Sequence, residues 1–172
     1  MRLNSRFMAE SVAFSVGADR RTVYDEILPQ IESLVEGERD VVANLANIAA
    51  VLKEAFAFFW VGFYLAKGGE LVLGPFQGPL ACTRIKFGEG VCGHAFSTRK
   101  TIVVPNVDEF PGHIACSSAS KSEVVVPVFH QNGEPAGVLD VDSDKLNDFS
   151  DADAAGLESI AAIVTRFLSP VR

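Results

Sequence analysis

The chain has no apolar run near the ~20 residues needed to cross a bilayer, so no spanning segment and no membrane partner are expected. It also lacks a clustered basic surface. Lys and Arg number 15 against 22 Asp and Glu, a net charge of −7 over 172 residues. Duplex binding relies on grouped Lys and Arg to neutralise phosphates, so nucleic acid is not an expected partner. No Cys-x-x-Cys or His-x-x-x-His pair is present to fix a zinc geometry, although Cys92-x-His94 with Cys82, Cys116 and His113 supplies the ligand types. Internal repeats, low-complexity tracts and dividing linkers are missing, which points to one domain. Arg2 and Arg6 precede the short apolar stretch Val12–Val16, but Glu10 interrupts, and the stretch is too short for a secretory core. The expected compartment is cytoplasmic. Thiols stay reduced there, which disfavours a static disulfide framework and favours catalytic or sensing cysteines.

Against these absences stand 48% hydrophobic residues and 13 Phe, enough for a substantial core. Residues 1–18 read as an irregular N-terminal tail and 19–172 as a single domain. Tyr24, Ile27, Leu28, Ile31 and Leu34 fall on one helical face, with Pro29 a kink or a limit. Asp40 caps a second helix carrying Leu45, Ile48, Leu52 and Phe56. Residues 58–65 read as a strand, and Lys67-Gly68-Gly69 turns into another over 70–74. A long loop with Cys82 follows, then a short helix over 90–98 after Gly88-Glu-Gly90. Thr101–Val104 is a short strand and Pro105–Ser120 a loop. Glu123–Phe129 and Gly137–Asp142 are strands joined through Gln131-Asn132-Gly133. Ser150-x-x-Asp153 opens a terminal helix in the manner of a capping box. Turn-linked strands between helical ends describe an α+β domain. Its antiparallel sheet carries helices on one face and a loop-covered pocket on the other.

Alternation assigns chemistry to the two faces. In the first strand Phe59, Val61, Phe63 and Leu65 form a core face. Phe58, Trp60, Gly62 and Tyr64 form the other, with the glycine leaving a gap as a ligand floor would. In the last strand Leu139 and Val141 oppose Asp140 and Asp142. If Asn132-Gly133 is a two-residue loop, residue 131 pairs with 134 and Glu123 lies opposite Asp142. Three gathered acids suit a substrate ammonium, or an acid of raised pKa that donates a proton; otherwise they are a solvated strand face. Cys82, Cys92 and Cys116 each sit among small or glycine-rich residues that read as loops. Loop thiols of this kind ionise and react, so thiol redox chemistry leads, with three unrelated loop cysteines as the plain alternative.

Several motifs taken together resemble the free methionine-(R)-sulfoxide reductases, which are GAF-domain enzymes. These are Trp60-Val-Gly-Phe-Tyr64, Leu73-Gly-Pro-Phe-Gln-Gly, Ala81-Cys82, Gly88-Glu-Gly-Val-Cys92-Gly, Val104-Pro-Asn-Val, Phe110-Pro-Gly-His-Ile-Ala-Cys116, Ser122-Glu123-Val-Val-Val-Pro and Gly137-Val-Leu-Asp-Val-Asp142. The similarity runs from about residue 20 to residue 168. Ser117 departs from it, standing where Asp is usual. The Asn-Lys-Phe-Asp-Glu motif of cyclic-nucleotide-binding GAF domains is missing, and only Asp108-Glu-Phe110 echoes part of it.

The resemblance implies a GAF-like fold of about six antiparallel strands and an oxidoreductase reducing free L-methionine-(R)-sulfoxide. No cofactor is implied. A thioredoxin-type, NADPH-coupled protein is the external reductant, and a homodimer is allowed. By the same resemblance Cys116 is the nucleophile and passes through a sulfenic acid. Cys82 is the first choice as resolving thiol, with Cys92 second or a relay. Trp60, Tyr64, Glu123, Asp140 and Asp142 would line the substrate pocket. Backbone N–H groups before Cys116 would hold the substrate carboxylate. A GAF-type redox or small-molecule sensor is the alternative; against it, no dimerising coiled coil flanks the domain. A zinc-stabilised interaction domain is a third reading.

Overall fold

Aspartates start the first two helices, which back the sheet. The computed structural model describes residues 11–114 and 116–168. Asp19 accepts from the Thr22 N–H (3.1 Å) and opens α1, Arg20–Glu36, which runs through Pro29. Asp40 accepts from the Ala43 N–H (2.9 Å) and opens α2, Val41–Phe56, as its sequence predicts. The strands are β1 (Trp60–Lys67), β2 (Glu70–Gln77), β3 (Arg84–Lys86), β4 (Ile102–Val104), β5 (Ser122–Phe129) and β6 (Pro135–Ser143). Helix α3 (Gly90–Thr98) lies between β3 and β4, a single 3₁₀ turn spans Val107–Glu109, and α4 (Asp151–Thr165) ends the fold. The Asp153 carboxylate reaches back to the Ser150 N–H (2.8 Å), the capping contact expected from Ser150-x-x-Asp153.

Part of the expected tail lies outside the described residues. Residues 11–18 form neither helix nor strand, yet they are tied to α1. Ala13 exchanges hydrogen bonds with the Gln30 amide, and Ser15 donates from N–H and hydroxyl to Glu26. No described helix is long and apolar enough to cross a membrane.

Among the described residues six strands form one sheet, in the order β3-β2-β1-β6-β5-β4 with every neighbouring pair antiparallel. One face packs on α1, α2 and α4 through Val61, Phe63, Leu139 and Val141. The opposite face carries Trp60, Tyr64 and Val138, and α3 with the loops roofs it. Arg20 binds α1 to the start of α4, donating to Asp148 (3.0 Å) and to the fully buried Asp153 (3.1 Å).

Three expectations need correction. Strand geometry begins at Trp60, so alternation does not reach back through 58 and 59. Phe58 packs in the helix-side core and Phe59 on the other side, the reverse of their expected faces. The loop holding Cys82 is followed by a third strand that the sequence reading missed. Only three residues long, β3 has no visible alternation, and it is held to β2 by the pair Leu71↔Ile85. The third correction is the β5–β6 loop. His130 and Glu134 pair through the His130 N–H (2.8 Å), and the Gly133 N–H returns to His130 O (2.9 Å) with φ +83° at Gly133. The loop thus has three residues, 131–133, with glycine in the left-handed position that such a turn requires. Ala136 then stands as an extra residue between the pairs Phe129↔Pro135 and Val128↔Gly137. This bulge restores the register of a two-residue loop, and Glu123 lies opposite Asp142 as expected.

Candidate active site

The site occupies the face of the sheet away from α1, α2 and α4. Its floor is β1, β5 and β6, its inner wall is α3, and its rim is formed by the two loops that carry Cys82 and Cys116. These two cysteines are joined as a disulfide (S–S 2.08 Å, Cα–Cα 5.2 Å) although 34 residues separate them. Pairing of β2 with β3 returns one loop over the cleft, and the loop between β4 and β5 brings the other to meet it.

Trp60 and Tyr64 rise from β1 into the cleft wall. The Trp60 ring stacks between Tyr64 (5.9 Å) and Phe76 (5.3 Å). The gap expected at Gly62 is not a ligand floor. A Cβ there would lie 2.4 Å from Phe76 and 2.6 Å from the Trp60 ring, so the aromatic side chains already use the space. Both rings also support the Cys82 loop. Trp60 Nε1 donates to Pro79 O (3.2 Å), and the Tyr64 hydroxyl donates to Cys82 O (2.9 Å). Burial among acids raises the Tyr64 pKa further, keeping the phenol a donor.

Glu123, Asp140 and Asp142 line the cleft together. Glu123 and Asp140 are each only 6% exposed. Burial is the main reason that both carboxyls are held well above the usual carboxylate range, and repulsion from neighbouring acids adds to it, from Asp140 and Asp142 at Glu123 and from Asp142 at Asp140. Asp142 is raised to about 6 by burial, against an opposing hydrogen bond from Ser120. Asp140 Oδ1 is buried with no hydrogen-bond partner, an acceptor still open to a donor.

Cys92 differs from the sequence expectation. It is not a reachable loop thiol: it lies on the buried side of α3, 3% exposed, with Sγ 3.9 Å from Glu123 Oε1. Burial and the neighbouring acids push its pKa up, so it stays a neutral thiol. The helix can lie this close because Gly93 faces the Lys86 carbonyl, 2.4 Å from where a Cβ would stand.

The ligand types noted for zinc are not assembled, since His94 is exposed and turns edge-on to Phe110 while Cys82 and Cys116 are bonded to each other. The donor atoms of Cys92, Glu123 and Asp140 do lie within 4.8 Å of one another, but these raised pKa values make the trio a store of protons before it is a metal cage.

The N–H groups of His113 and Cys116 are committed to Phe110 O and Ile114 O, so neither is the substrate-carboxylate holder expected from this loop. Sequence reasoning weighed His113 only as a metal ligand, yet its side chain lines the cleft with Nε2 3.8 Å from Glu123 Oε2. Its place three residues before Cys116 was the available signal. Ile114 and Ser120, also in the cleft, carried none.

A family model described as GAF domain matches residues 35–169. A free methionine-R-sulfoxide reductase from Neisseria meningitidis, solved in complex with its substrate, is 57% identical. It covers 91% of this chain and 94% of that one, with a TM-score of 0.88. GAF domain-containing protein A of Dictyostelium discoideum is 56% identical over 158 residues, 91% of this chain and 99% of the relative. The free methionine-R-sulfoxide reductase of Escherichia coli K12 is 42% identical over 147 residues, 85% of this chain and 88% of the relative.

Proposed function

The chain belongs to the GAF-domain family and, within it, to the free methionine-(R)-sulfoxide reductases, and from that premise we propose that it reduces free L-methionine-(R)-sulfoxide to L-methionine. The observation that carries the reading is a disulfide between two cleft cysteines at the mouth of a buried, proton-holding acid cluster.

In this reading the Cys116 thiolate attacks the sulfoxide sulfur while a buried acid gives a proton to the oxygen. Methionine departs and Cys116 is left as a sulfenic acid. The Cys82 thiol condenses with it, releasing water and forming the disulfide. A thioredoxin-type dithiol then reduces that bond, a step that suits a reducing compartment such as the cytoplasm. The Cys82–Cys116 bond supports Cys82 over Cys92 as resolving residue, because the buried Cys92 thiol faces Glu123. Glu123, Asp140 and Asp142 serve as proton donor and ammonium anchors, and Trp60 and Tyr64 flank the methylthio end. A free ammonium distinguishes the amino acid from a peptide residue, and an acid cluster is suited to it.

The test is an NADPH-coupled thioredoxin assay on separated sulfoxide diastereomers, free and within a peptide. Turnover confined to the free R form is expected. Equal rates on free and peptide-bound substrate, or binding without methionine release, would overturn the reading.

A further inference from the structure

Resting on that function, we propose that His113 is the proton-exchange residue of the site, returning to Glu123 from solvent the proton that this carboxyl gives to the sulfoxide oxygen.

The balance of the reaction calls for such a group. One sulfoxide and two thiols become one methionine, one disulfide and one water. The Cys116 proton is lost to solvent when the thiolate forms. The donor acid must therefore be recharged from solvent once per cycle. Glu123 is poorly placed to do this alone, with a side chain only 7% exposed.

The two oxygens of Glu123 face different groups. Oε1 lies 3.9 Å from Cys92 Sγ on the inner side, and Oε2 lies 3.8 Å from His113 Nε2 toward the rim. The His113 side chain is 15% exposed, twice the figure for its partner, so the imidazole touches both the acid and water. A side-chain shift or one bridging water closes a gap of this length.

The surrounding charges favour exchange over a fixed ion pair. Glu123 of β5 faces the ring, Asp140 and Asp142 of β6 and Cys92 of α3 line the same cleft, and Asp108 stands on the loop of His113 itself. Burial lowers the His113 pKa, with Asp108 opposing, while burial raises Glu123. At rest the proton thus sits on the carboxyl and the imidazole is neutral. Once Glu123 has given its proton away, the new carboxylate draws a proton from water onto the ring, and the ring hands it on.

The full chain, reduced and with thioredoxin in excess, provides the test. His113→Ala should lower kcat about 10²-fold, the lower end of an acid–base contribution, with the sulfoxide KM within about 2-fold. Added imidazole should restore turnover saturably, and His113→Gln should share the defect. A loss confined to KM, or one that imidazole does not restore at any pH, would overturn the proposal and leave His113 as a loop-shaping residue. NMR titration of the His113 ring gives a readout independent of turnover. Two steps are expected in the wild type, collapsing to one in Glu123→Gln; a titration indifferent to that substitution defeats the coupling. A wild-type chain that fails to reduce the sulfoxide would defeat the functional reading, while the NMR comparison still decides the His113–Glu123 link.

Discussion

The Tyr64 hydroxyl donates to the carbonyl oxygen of Cys82 at 2.9 Å, so the loop bearing one disulfide sulfur hangs from the central part of the sheet. Trp60 makes the companion contact to Pro79. The two aromatic side chains expected to form the ligand wall are also the supports of the loop above it.

Tyr64→Phe keeps the ring and removes one buried donor, a loss of about 1 kcal/mol. The Cys82 loop should then spend less time within bonding reach of Cys116. During a single turnover, a sulfenic-acid trap such as dimedone should capture several-fold more Cys116 than in the wild type. Unchanged capture would show that the disulfide closes without this support.

Cys116→Ser should abolish turnover even with small-molecule dithiols, since it removes the attacking thiol and the buried Cys92 is held neutral beside Glu123. Cys82→Ser should release one equivalent of methionine and then stall. Peptide mapping of the oxidised wild type should join Cys116 to Cys82. Cys92 should resist alkylation until the chain is unfolded, because it is 3% exposed and held neutral. A Cys82–Cys92 bridge after one turnover, with Cys116 free, would force a relay into the scheme.

Glu123→Gln, Asp140→Asn and Asp142→Asn should each lower kcat/KM at least ~10-fold, equivalent to about 1.4 kcal/mol of transition-state stabilisation. Replacement of the proton donor should chiefly lower kcat, and replacement of an ammonium anchor should chiefly raise KM. Asp140 belongs with the anchors, because its Oδ1 has no partner in the folded chain. Three variants with wild-type kinetics would reduce the cluster to a structural feature.

Asp142 also makes stability depend on pH. Burial lifts its pKa from 3.8 to about 6, so the folded state binds the proton more tightly than the unfolded state does. That contribution is fully present below pH 3.8 and lost as pH rises through about 6. The span corresponds to about 3 kcal/mol, lowered in practice by coupling to the neighbouring acids. Asp142→Asn has no proton to lose. Thermal unfolding from roughly pH 4 to pH 7 should show the variant gaining on the wild type as pH rises. A constant difference in Tm would mean that Asp142 is solvated in the folded chain.

Much of this was written in local patterns. Asp40 and the Ser150–Asp153 pair mark helix starts because capping is a contact between near neighbours. Asp140 and Asp142 share the cleft because alternation holds along a regular strand, while Glu123 meets Asp142 as expected only because the Ala136 bulge offsets a three-residue turn. The failures lie where a long-range contact decides. Phe58 and Phe59 fall just before regular strand geometry begins, so counting by twos misassigns both. Arg84–Lys86 is a strand only because β2 lies alongside. The motif around Cys92 looks like an open loop, and its burial follows from α3 packing over β5 and β6. His113 gained its meaning from Glu123, which is ten residues away in sequence and 3.8 Å away in space.

The extra residue Ala136 works like a frame correction. The hairpin takes three residues to turn, one more than a two-residue loop, and the bulge cancels that difference before the strands reach the acids. Without cancellation, every later side chain on β6 would change faces. Leu139 and Val141 would enter the cleft, and Asp140 and Asp142 would be driven into the helix-side core. The faces of Asp140 and Asp142 are therefore set by the bulge and the strand after it, while the turn itself can change length as long as His130 and Glu134 still pair. A one-residue deletion at Asn132 should leave activity intact, because His130 and Glu134 still pair across the shorter turn, whereas a residue inserted between Val138 and Leu139 should abolish it by turning Asp140 and Asp142 away from the cleft.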